Sequence, residues 1–403
     1  MKIGIDISGY TSLIGAFDFI TNIVIALSYC AKKYGHEIFL IARTDDKSFY
    51  RKYKGIKKLL YKIKYFIRFN SISDYRILPN CEYFAELDNI KLLEINKHYR
   101  KVLRNLNFDV VLPITNPKLN ISPILSIRYL FDCQHKYYPQ FFSKEILEYR
   151  DIYFSEMVKK PCIVNSQDAK KDFVNFYNAD TNKIFSLPFT PKLKEEYILV
   201  DKPEILEKYN LPKKYFLMSC QFWLHKDHST LFKAFAKFIN KIDVSDIGLV
   251  CTGTMEEPRK PEHINELKDL IKDLGIEKKV YLLGCIPKRD QLEIMKKSIA
   301  VVNTTLFEGG PGGGCIWDSC ALGIRSIISD IPVNLEIKDN LVHFFKKGNA
   351  DDLCNKMIEL LTNPLPIYTK EELLAKSQEN INILGDKLID IIQEVIEQNK
   401  RGE

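Results

Sequence analysis

Short apolar runs alternate with amphipathic stretches along nearly the whole chain, and this alternation restricts its fold more than any other feature. Parallel strands are covered by helices on both faces, so they appear in a sequence as continuous apolar runs. The repeated order therefore predicts an α/β protein built on parallel sheets. The expected strands span residues 2–7, 37–42, 109–112, 127–131 and 162–165 in the first half, and 215–220, 247–252, 280–283, 300–304, 326–329 and 342–345 in the second.

A segment punctuated by prolines divides the chain into two units. Four prolines occur in the charged, weakly periodic stretch 188–212, which is typical of a connection between domains. A length of 403 residues suits two ordinary domains. We therefore expect two doubly wound, Rossmann-like domains that face a cleft, covering residues 1–190 and 213–375 and joined by a linker over 191–212. A C-terminal helix over about 376–403 is expected to pack back on the first domain.

The composition favours a folded cytoplasmic protein. Hydrophobic residues make up 46% of the chain and charged residues 28%, which excludes intrinsic disorder. The ten cysteines include no C-x-x-C pair and most lie in apolar runs, a pattern typical of reduced, buried thiols rather than zinc ligands or disulfides. The N-terminus enters a strand pattern directly, and no run of about 18 apolar residues occurs. We expect neither a signal peptide nor a membrane span.

The net charge of +7 is unevenly distributed. Residues 1–200 contain 31 basic and 21 acidic residues, a net charge of +10, and the remainder has a net charge of −3. Eight basic residues and no acid lie in the segment 51–68, where apolar residues at helical spacing predict a basic amphipathic helix. Two interpretations stay open: an ordinary domain helix with solvated lysines, or a helix on an anionic membrane surface at the inner face of the cytoplasmic membrane. Nucleic acid is disfavoured because no binding motif surrounds the segment.

A glycine-rich segment follows the strand expected at 300–304. Five of the eighteen glycines occur within residues 309–314, between Glu308 and an apolar stretch that reads as a helix. Backbone N–H groups of glycines can approach a ligand closely, and a helix N-terminus adds about half a positive charge, so the segment predicts an anion site suited to phosphate. The spacing is neither G-x-G-x-x-G nor G-x-x-x-x-G-K-[ST], which disfavours a dinucleotide fold and a P-loop. A flexible surface loop is the alternative.

The residues from Glu308 to Asp330 resemble the E-x7-E segment of the family 4 retaining glycosyltransferases, also called glycosyl transferases group 1. The usual form of that segment is E-G-F-G-L-P-x-x-E-A-x-A-x-G-x-P-V-I-x-S. Here Asp318 stands where the second glutamate is usual, and two extra residues make the spacing E-x9-D. The resemblance implies the GT-B fold, with donor binding in the second domain and acceptor binding in the first.

Two further segments of the second half agree with this resemblance. Residues 215–228 are similar to the family's segment that ends in W-x-x-K-N, so Lys226 is expected to contact the donor diphosphate. The arginine that many members carry a few residues earlier is absent, and Gln221 is near its place. Residues 280–287 resemble the strand and turn that pass the nucleotide base, which implies a contact with Ile286.

The first half contributes two candidates. Residues 129–139 resemble the loop that faces the donor sugar, and His135 within it has two interpretations: a buried residue with satisfied hydrogen bonds, or a catalytic side chain that points into the cleft. Gly15 follows the first strand, where the family places glycines close to the donor phosphate and the acceptor. His225 and His228 flank Lys226 and are expected to position the loop.

The resemblance implies a retaining transfer of a sugar from a nucleotide diphosphate, UDP or GDP, to a glycan or lipid-linked glycan. Glu308 would bind sugar hydroxyls, Asp318 the ribose hydroxyls, and Gly309, Gly310, Gly312, Gly313 and Gly314 the diphosphate. The sequence contains no D-x-D, so neither a metal nor another cofactor is expected. The sequence composition and the motif variant suggest bacterial surface polysaccharide synthesis, such as O-antigen or capsule. A nucleotide-sugar 2-epimerase and a non-catalytic glycan-binding or sugar-nucleotide-binding subunit are the alternatives.

Overall fold

A computed structural model describes residues 1–8, 14–43, 75–78, 87, 89–95, 98–187, 193–242, 246–363 and 367–402. Within these residues the chain forms two sheets, and nearly all neighbouring strands in both are parallel. The predicted α/β fold with two Rossmann-like domains is confirmed. None of the described helices combines the length and apolarity that a membrane crossing requires.

The first sheet has the strand order β3-β4-β2-β1-β5-β6-β7-β8, in which β3 is antiparallel to β4. Its strands are β1 (Lys2–Asp6), β2 (Glu37–Arg43), β3 (Tyr75–Leu78), β4 (Ile90–Ile95), β5 (Val110–Ile114), β6 (Leu125–Tyr129), β7 (Cys162–Val164) and β8 (Ile184–Ser186). The helices of this half are α1 (Ile14–Tyr34), α2 (Tyr99–Asn105), α3 (Gln134–Tyr137), α4 (Lys144–Met157) and α5 (Gln167–Tyr177).

The second sheet has the order β11-β10-β9-β12-β13-β14 and is parallel throughout. Its strands are β9 (Lys214–Ser219), β10 (Ile247–Thr252), β11 (Val280–Gly284), β12 (Ala300–Asn303), β13 (Ser326–Ser329) and β14 (Val342–Phe345). The helices are α6 (Glu195–Leu199), α7 (Ile205–Lys208), α8 (His228–Lys241), α9 (His263–Asp273), α10 (Lys288–Lys296), α11 (Gly313–Ala321), α12 (Ala350–Thr362) and α13 (Lys370–Gly402).

Every expected strand is present, with ends within two residues of the predicted ones. The sequence analysis missed β3, β4 and β8. Strand β8 has three residues, of which only Ile184 and Phe185 are apolar, and β4 carries Lys91 and Glu94 among its apolar residues. The short length of β8 and the mixed polarity of β4 explain why these strands were not predicted, and the α/β fold itself is as expected.

Both faces of the first sheet are buried. Ile3 and Ile5 of β1 pack with Ile23 of α1 on one face, and Phe39 and Ile41 of β2 belong to a separate apolar cluster on the other. Successive side chains of a strand point to opposite faces, so a sheet covered on both sides needs apolar residues at every position. This requirement explains the continuous apolar runs in the sequence.

The C-terminal helix α13 contacts the first domain. Ile381 and Leu388 lie in the same apolar cluster as β1 and α1. Gly385 is where α13 meets α1 most closely, since a Cβ there would lie 2.5 Å from Sγ of Cys30 and 2.6 Å from the carbonyl oxygen of Ala26. The absence of a side chain at Gly385 therefore permits the close packing of the two helices.

The segment after β6 contacts the second domain through aromatic residues. The ring of Tyr137 lies 5.4 Å from that of Phe307, and its hydroxyl donates to Oδ1 of Asp172 over 2.5 Å. The hydroxyl of Tyr138 donates to the carbonyl oxygen of Leu306 over 3.2 Å. Tyr137 thus connects a buried carboxyl group of the first domain to the loop that follows β12.

Burial raises the pKa of Asp172 to about 6, and the nearby carboxylates of Asp168 and Asp132 act in the same direction against the hydrogen bond from Tyr137. Its ordinary value is 3.8. The folded protein therefore binds the carboxyl proton of Asp172 more tightly than the unfolded chain does. This proton binding adds to the free energy of unfolding at low pH, and the contribution is lost as the pH rises from about 4 to about 6.

Replacing Gly385 with alanine is expected to lower the free energy of unfolding by about 1–3 kcal/mol, because the added methyl group overlaps backbone and sulfur atoms of α1. Chemical denaturation would measure it. Asn382→Ala, at an exposed position of the same helix, is the control and should change stability by less than about 0.5 kcal/mol. If Gly385→Ala were as stable as the parent chain, the close approach of α1 and α13 would be contradicted.

Asp172→Asn is expected to stabilise the protein at pH 7.5 by at most about 3 kcal/mol, since the amide is neutral and its oxygen still accepts from Tyr137. The gain should shrink as the pH falls towards 4. Thermal unfolding between pH 4 and pH 7.5 measures the difference, with the surface variant Glu148→Gln on α4 as the control. A gain that stays constant over this range would contradict titration of Asp172.

Candidate active site

Two neighbouring strands of the second sheet bring the main candidates together. Strands β9 and β12 lie side by side at the centre of the sheet. Strands β10 and β11 follow on one side of this pair, and β13 and β14 follow on the other, so the strand order reverses here. Ligands of open α/β sheets bind at such a reversal, beyond the carboxyl ends of the strands. Lys226 follows β9 and Glu308 follows β12, so both belong to the edge where a ligand is expected.

Hydrogen bonds join the loops that follow β9 and β12. Oγ1 of Thr304 donates to the carbonyl oxygen of Lys226 over 2.8 Å, and the amide of Leu306 donates to that of His225 over 2.7 Å. Asp227 has a φ of 50° and caps α8 by accepting from an amide of its first turn. The backbone of Lys226 is thereby held against the loop that carries Glu308, and the positioning role expected for the His225 side chain stays a prediction.

The side chains of Lys226 and Glu308 form a buried ion pair. The ammonium donates to Oε1 of Glu308 over 2.5 Å, and the two side chains are 9% and 12% exposed. Burial by itself would lower the pKa of Lys226, but the attraction of Glu308 outweighs it and the pKa is raised. A buried pair of this kind is stable only while both partners are present, because either charge alone would be poorly solvated.

The ion pair lies beside the N-terminus of α11. Oε1 of Glu308 is 3.5 Å from the position that a Cβ of Gly313 would occupy. Gly313 and Gly314 are the first residues of this helix, so their amides have no acceptor within it. A Cβ on Gly314 would meet open space. The amides of Gly313 and Gly314, next to Lys226, are the part of the glycine-rich segment best placed for an anion.

Gly312 has a different role from the expected one. Its amide donates to Oδ1 of Asn334 over 2.8 Å, and its carbonyl oxygen accepts from Nδ2 of Asn303 over 3.0 Å. With a φ of 68°, and a Cβ position only 2.8 Å from that of Ile316, this residue has to be glycine. The expectation that its amide contacts a ligand is corrected: Gly312 forms the turn that starts α11.

Gly309 and Gly310 meet the first domain. A Cβ on Gly309 would lie 2.5 Å from the carbonyl oxygen of Phe131, and one on Gly310 would lie 3.0 Å from Cβ of Asn165. Oγ of Ser166 donates to the carbonyl oxygen of Gly309 over 3.0 Å. These glycines therefore permit close contact between the domains, a role that the sequence analysis missed. A contact of their own amides with a ligand stays a prediction.

Asp318 lies in the second turn of α11 with a side chain that is 5% exposed. The ammonium of Lys288, the first residue of α10, donates to its Oδ2. Burial raises the pKa of Asp318, and Lys288 acts against this rise. Lys288 was missed in the sequence, although it directly follows the turn 284–287 that resembles a nucleotide-binding segment.

The remaining donor candidates lie at other strand ends. Gln221 follows β9 and is half-buried, and Ile286 follows β11 and packs on the apolar cluster of the second domain. Gly15 is in the first turn of α1. Their contacts with a donor stay predictions, as does the basic helix expected at 51–68, which lies outside the described residues. Over the described part of the chain, no three potential metal ligands are grouped together.

His135 does not point towards the second domain. It is 2% exposed, and its Nε2 lies 2.7 Å from the hydroxyl of Tyr177 and 3.1 Å from Oδ1 of Asp151. Burial lowers its pKa, against the hydrogen bond with Asp151. The single turn of α3 directs the ring between α4 and α5, whereas Phe131 and Asp132 approach Gly309. The expectation of a catalytic His135 in the cleft is therefore corrected.

A carboxylate of the second domain also contacts the first. Glu336 accepts from the amides of Gln167 over 3.0 Å and Asp168 over 2.7 Å, at the start of α5. A carboxylate at a helix N-terminus is favoured by the unpaired amides and by the helix dipole. The sequence analysis missed Glu336 because nothing in the local pattern indicates a partner nearly 170 residues away.

Comparisons with known proteins agree with this architecture. Residues 201–381 match the model of the family described as glycosyl transferases group 1. No curated protein sequence matches the chain. Among solved structures, the chain is similar to a glycosyltransferase from Rickettsia africae, with 17% identity, a TM-score of 0.62 and 98% of each chain covered.

Two further structures have the same fold. Anabaena HepE in complex with UDP and glucose is 14% identical, with a TM-score of 0.58 and 100% of each chain covered. The lipopolysaccharide outer core galactosyltransferase WaaB, in its apo form, is 16% identical, with a TM-score of 0.57, and the match covers 97% of this chain and 99% of that one.

The family match includes Lys226, Glu308 and Asp318, and the likeness to solved structures extends over both domains. The chain therefore has the GT-B fold, and its residues 201–381 match the glycosyl transferases group 1 family.

Proposed function

We propose that the chain is a retaining glycosyltransferase that moves a sugar from a nucleotide diphosphate to a glycan or lipid-linked glycan in bacterial surface polysaccharide synthesis. One observation carries the proposal: the buried pair of Lys226 and Glu308 lies beside the N-terminus of α11, at the reversal of strand order in the second sheet. A cation and two unpaired helix amides at one place suit a diphosphate.

The diphosphate would bind to Lys226 and to the amides of Gly313 and Gly314. Its negative charges would compete with Glu308 for the ammonium, which is within 2.5 Å of the carboxylate in the free protein. Glu308 would then be free to accept hydrogen bonds from hydroxyl groups of the donor sugar. The ion pair thus keeps Lys226 charged before the donor arrives, at a depth where a lone ammonium would be poorly solvated.

The transfer itself needs stabilisation of the leaving diphosphate and correct placement of the acceptor hydroxyl. Fixed cations and helix amides supply the first without reorganising during the reaction. Holding the two substrates together supplies the second. The resemblance implies attack from the side of the leaving group. The sequence contains no D-x-D triplet, so no metal requirement is expected. Both statements belong to the proposal.

The relatives support the choice of donor and setting. Three structures of HepE contain a nucleotide: one has UDP alone, one has UDP together with glucose, and one has UDP-glucose. WaaB is a galactosyltransferase of the lipopolysaccharide outer core. We therefore propose UDP as the first choice of nucleotide and GDP as the second. We also propose that the enzyme is cytoplasmic and meets its acceptor at the membrane through residues 51–68.

Screening UDP-sugars and GDP-sugars with glycan and glycolipid acceptors tests this proposal. Nucleotide release that requires the acceptor supports transfer, and interconversion without acceptor would instead support an epimerase.

Glu308→Gln is expected to lower the rate of transfer by at least about 100-fold, because the amide cannot supply a charged acceptor to the sugar hydroxyls. Its affinity for UDP should change much less than the rate, because the variant removes the competitor for Lys226 but also leaves the ammonium poorly solvated in the free protein. Nucleotide release and calorimetric titration with UDP measure the two effects. Glu266→Gln, an exposed carboxylate on α9, is the control. Full activity in Glu308→Gln would refute the assigned role.

Lys226→Met is expected to weaken UDP binding by about 10- to 100-fold, which corresponds to the loss of one charged hydrogen bond. Uridine, which has no phosphate, should bind both proteins equally. The matched control is Lys237→Met, which removes an exposed lysine from α8. Equal losses for UDP and uridine would indicate a general disturbance of the site and contradict a specific contact with the diphosphate.

A further inference from the structure

Lys288 contacts Asp318 from a neighbouring helix. Its ammonium donates to Oδ2 of Asp318, whose side chain is 5% exposed, while Lys288 itself is 40% exposed. Lys288 is the first residue of α10. A cation at a helix N-terminus is disfavoured by the helix dipole, and an anionic partner offsets that cost. Asp318 provides that partner.

We propose that Lys288 is a positioning residue for nucleotide binding: its ammonium fixes the Asp318 carboxylate as the acceptor of hydrogen bonds from the ribose hydroxyls. The inference rests on the proposed function and adds to it a residue outside the glycine-rich segment. Hydroxyl groups of ribose donate to a carboxylate, and an ionised carboxylate accepts more strongly than a protonated one.

Few other charged groups are near Asp318. Strands β12 and β13, which lie beneath α11, carry no charged side chain. Helix α13 brings Lys376, but this lysine pairs with Asp339 next to Cys320. On α11 itself the thiol of Cys315 is buried, and burial raises its pKa.

Lys288 is thus the cation that offsets the burial of Asp318. Without it, the carboxyl group would take up a proton more readily and lose its value as an acceptor. The effect should be strongest at low pH and should disappear as the pH rises, because a higher pH ionises Asp318 even without its partner.

The test compares Lys288→Met, Lys288→Arg, Asp318→Asn and the double variant Lys288→Met/Asp318→Asn. Calorimetric titration with UDP, and with GDP as a second probe, is carried out between pH 5.5 and 8.5, and thermal unfolding checks that each variant is folded. The neighbouring cation offers a matched control, Arg289→Met, since Arg289 faces Glu196 instead of Asp318.

Lys288→Met should bind UDP about tenfold more weakly than the parent chain at pH 6, with the affinity recovering as the pH rises. Lys288→Arg and Arg289→Met should behave like the parent. In the Asp318→Asn background, removing Lys288 should cause no further loss. With 2′,3′-dideoxy-UDP, Lys288→Met and the parent chain should bind equally, because the groups that Asp318 accepts from are missing.

Three results would overturn the inference but not the proposed function. In the first, Lys288→Met binds UDP with the affinity and pH profile of the parent. In the second, removing Lys288 weakens UDP binding as much in the Asp318→Asn background as in the parent chain, and in the third, Lys288→Met also binds the dideoxynucleotide more weakly than the parent does. The second and third would mean that Lys288 contacts the nucleotide directly. If the parent chain binds neither UDP nor GDP, the proposed function fails and the inference with it.

Discussion

The buried ion pair between Lys226 and Glu308 is the interaction on which the site depends. Two adjacent parallel strands supply its partners, and backbone hydrogen bonds between the loops that follow those strands hold it in place. A lysine at this depth needs a carboxylate to remain charged in the free protein. A diphosphate could take over that role, so binding would exchange one anionic partner for another. This exchange links the stability of the empty site to its proposed chemistry.

The glycine-rich segment serves two purposes that its sequence does not separate. Gly309 and Gly310 allow the first domain to approach, Gly312 forms the turn, and Gly313 and Gly314 begin α11 with unpaired amides. The lack of a Cβ permits close packing at Gly309 and Gly310, and under the proposed function it leaves the amides of Gly313 and Gly314 accessible to a ligand. The geometry of the segment therefore depends on both domains.

Much of the fold and part of the site could be predicted. The apolar runs identified eleven strands, because a strand buried on both faces admits little else. Lys226 and Glu308, both expected to contact the donor, form an ion pair because each follows a strand of the same parallel sheet; their contact with a donor stays a prediction. His135 was misplaced because one short helical turn decides which way a side chain points, and local pattern carries no signal for it. Lys288 and Glu336 were missed for a related reason: their partners come from distant parts of the chain.

The sequence by itself determined the alternation of strands and helices, the two-domain architecture and the chemical types of the residues after β9 and β12. These follow from local hydrophobic pattern and from short motifs, which act over a few residues. Only the tertiary structure decided which charges are paired, which glycine amides remain open and that His135 turns inward. The reason is that burial and ion pairing depend on the distance between side chains from separate elements, and the order of strands in the sheet sets that distance.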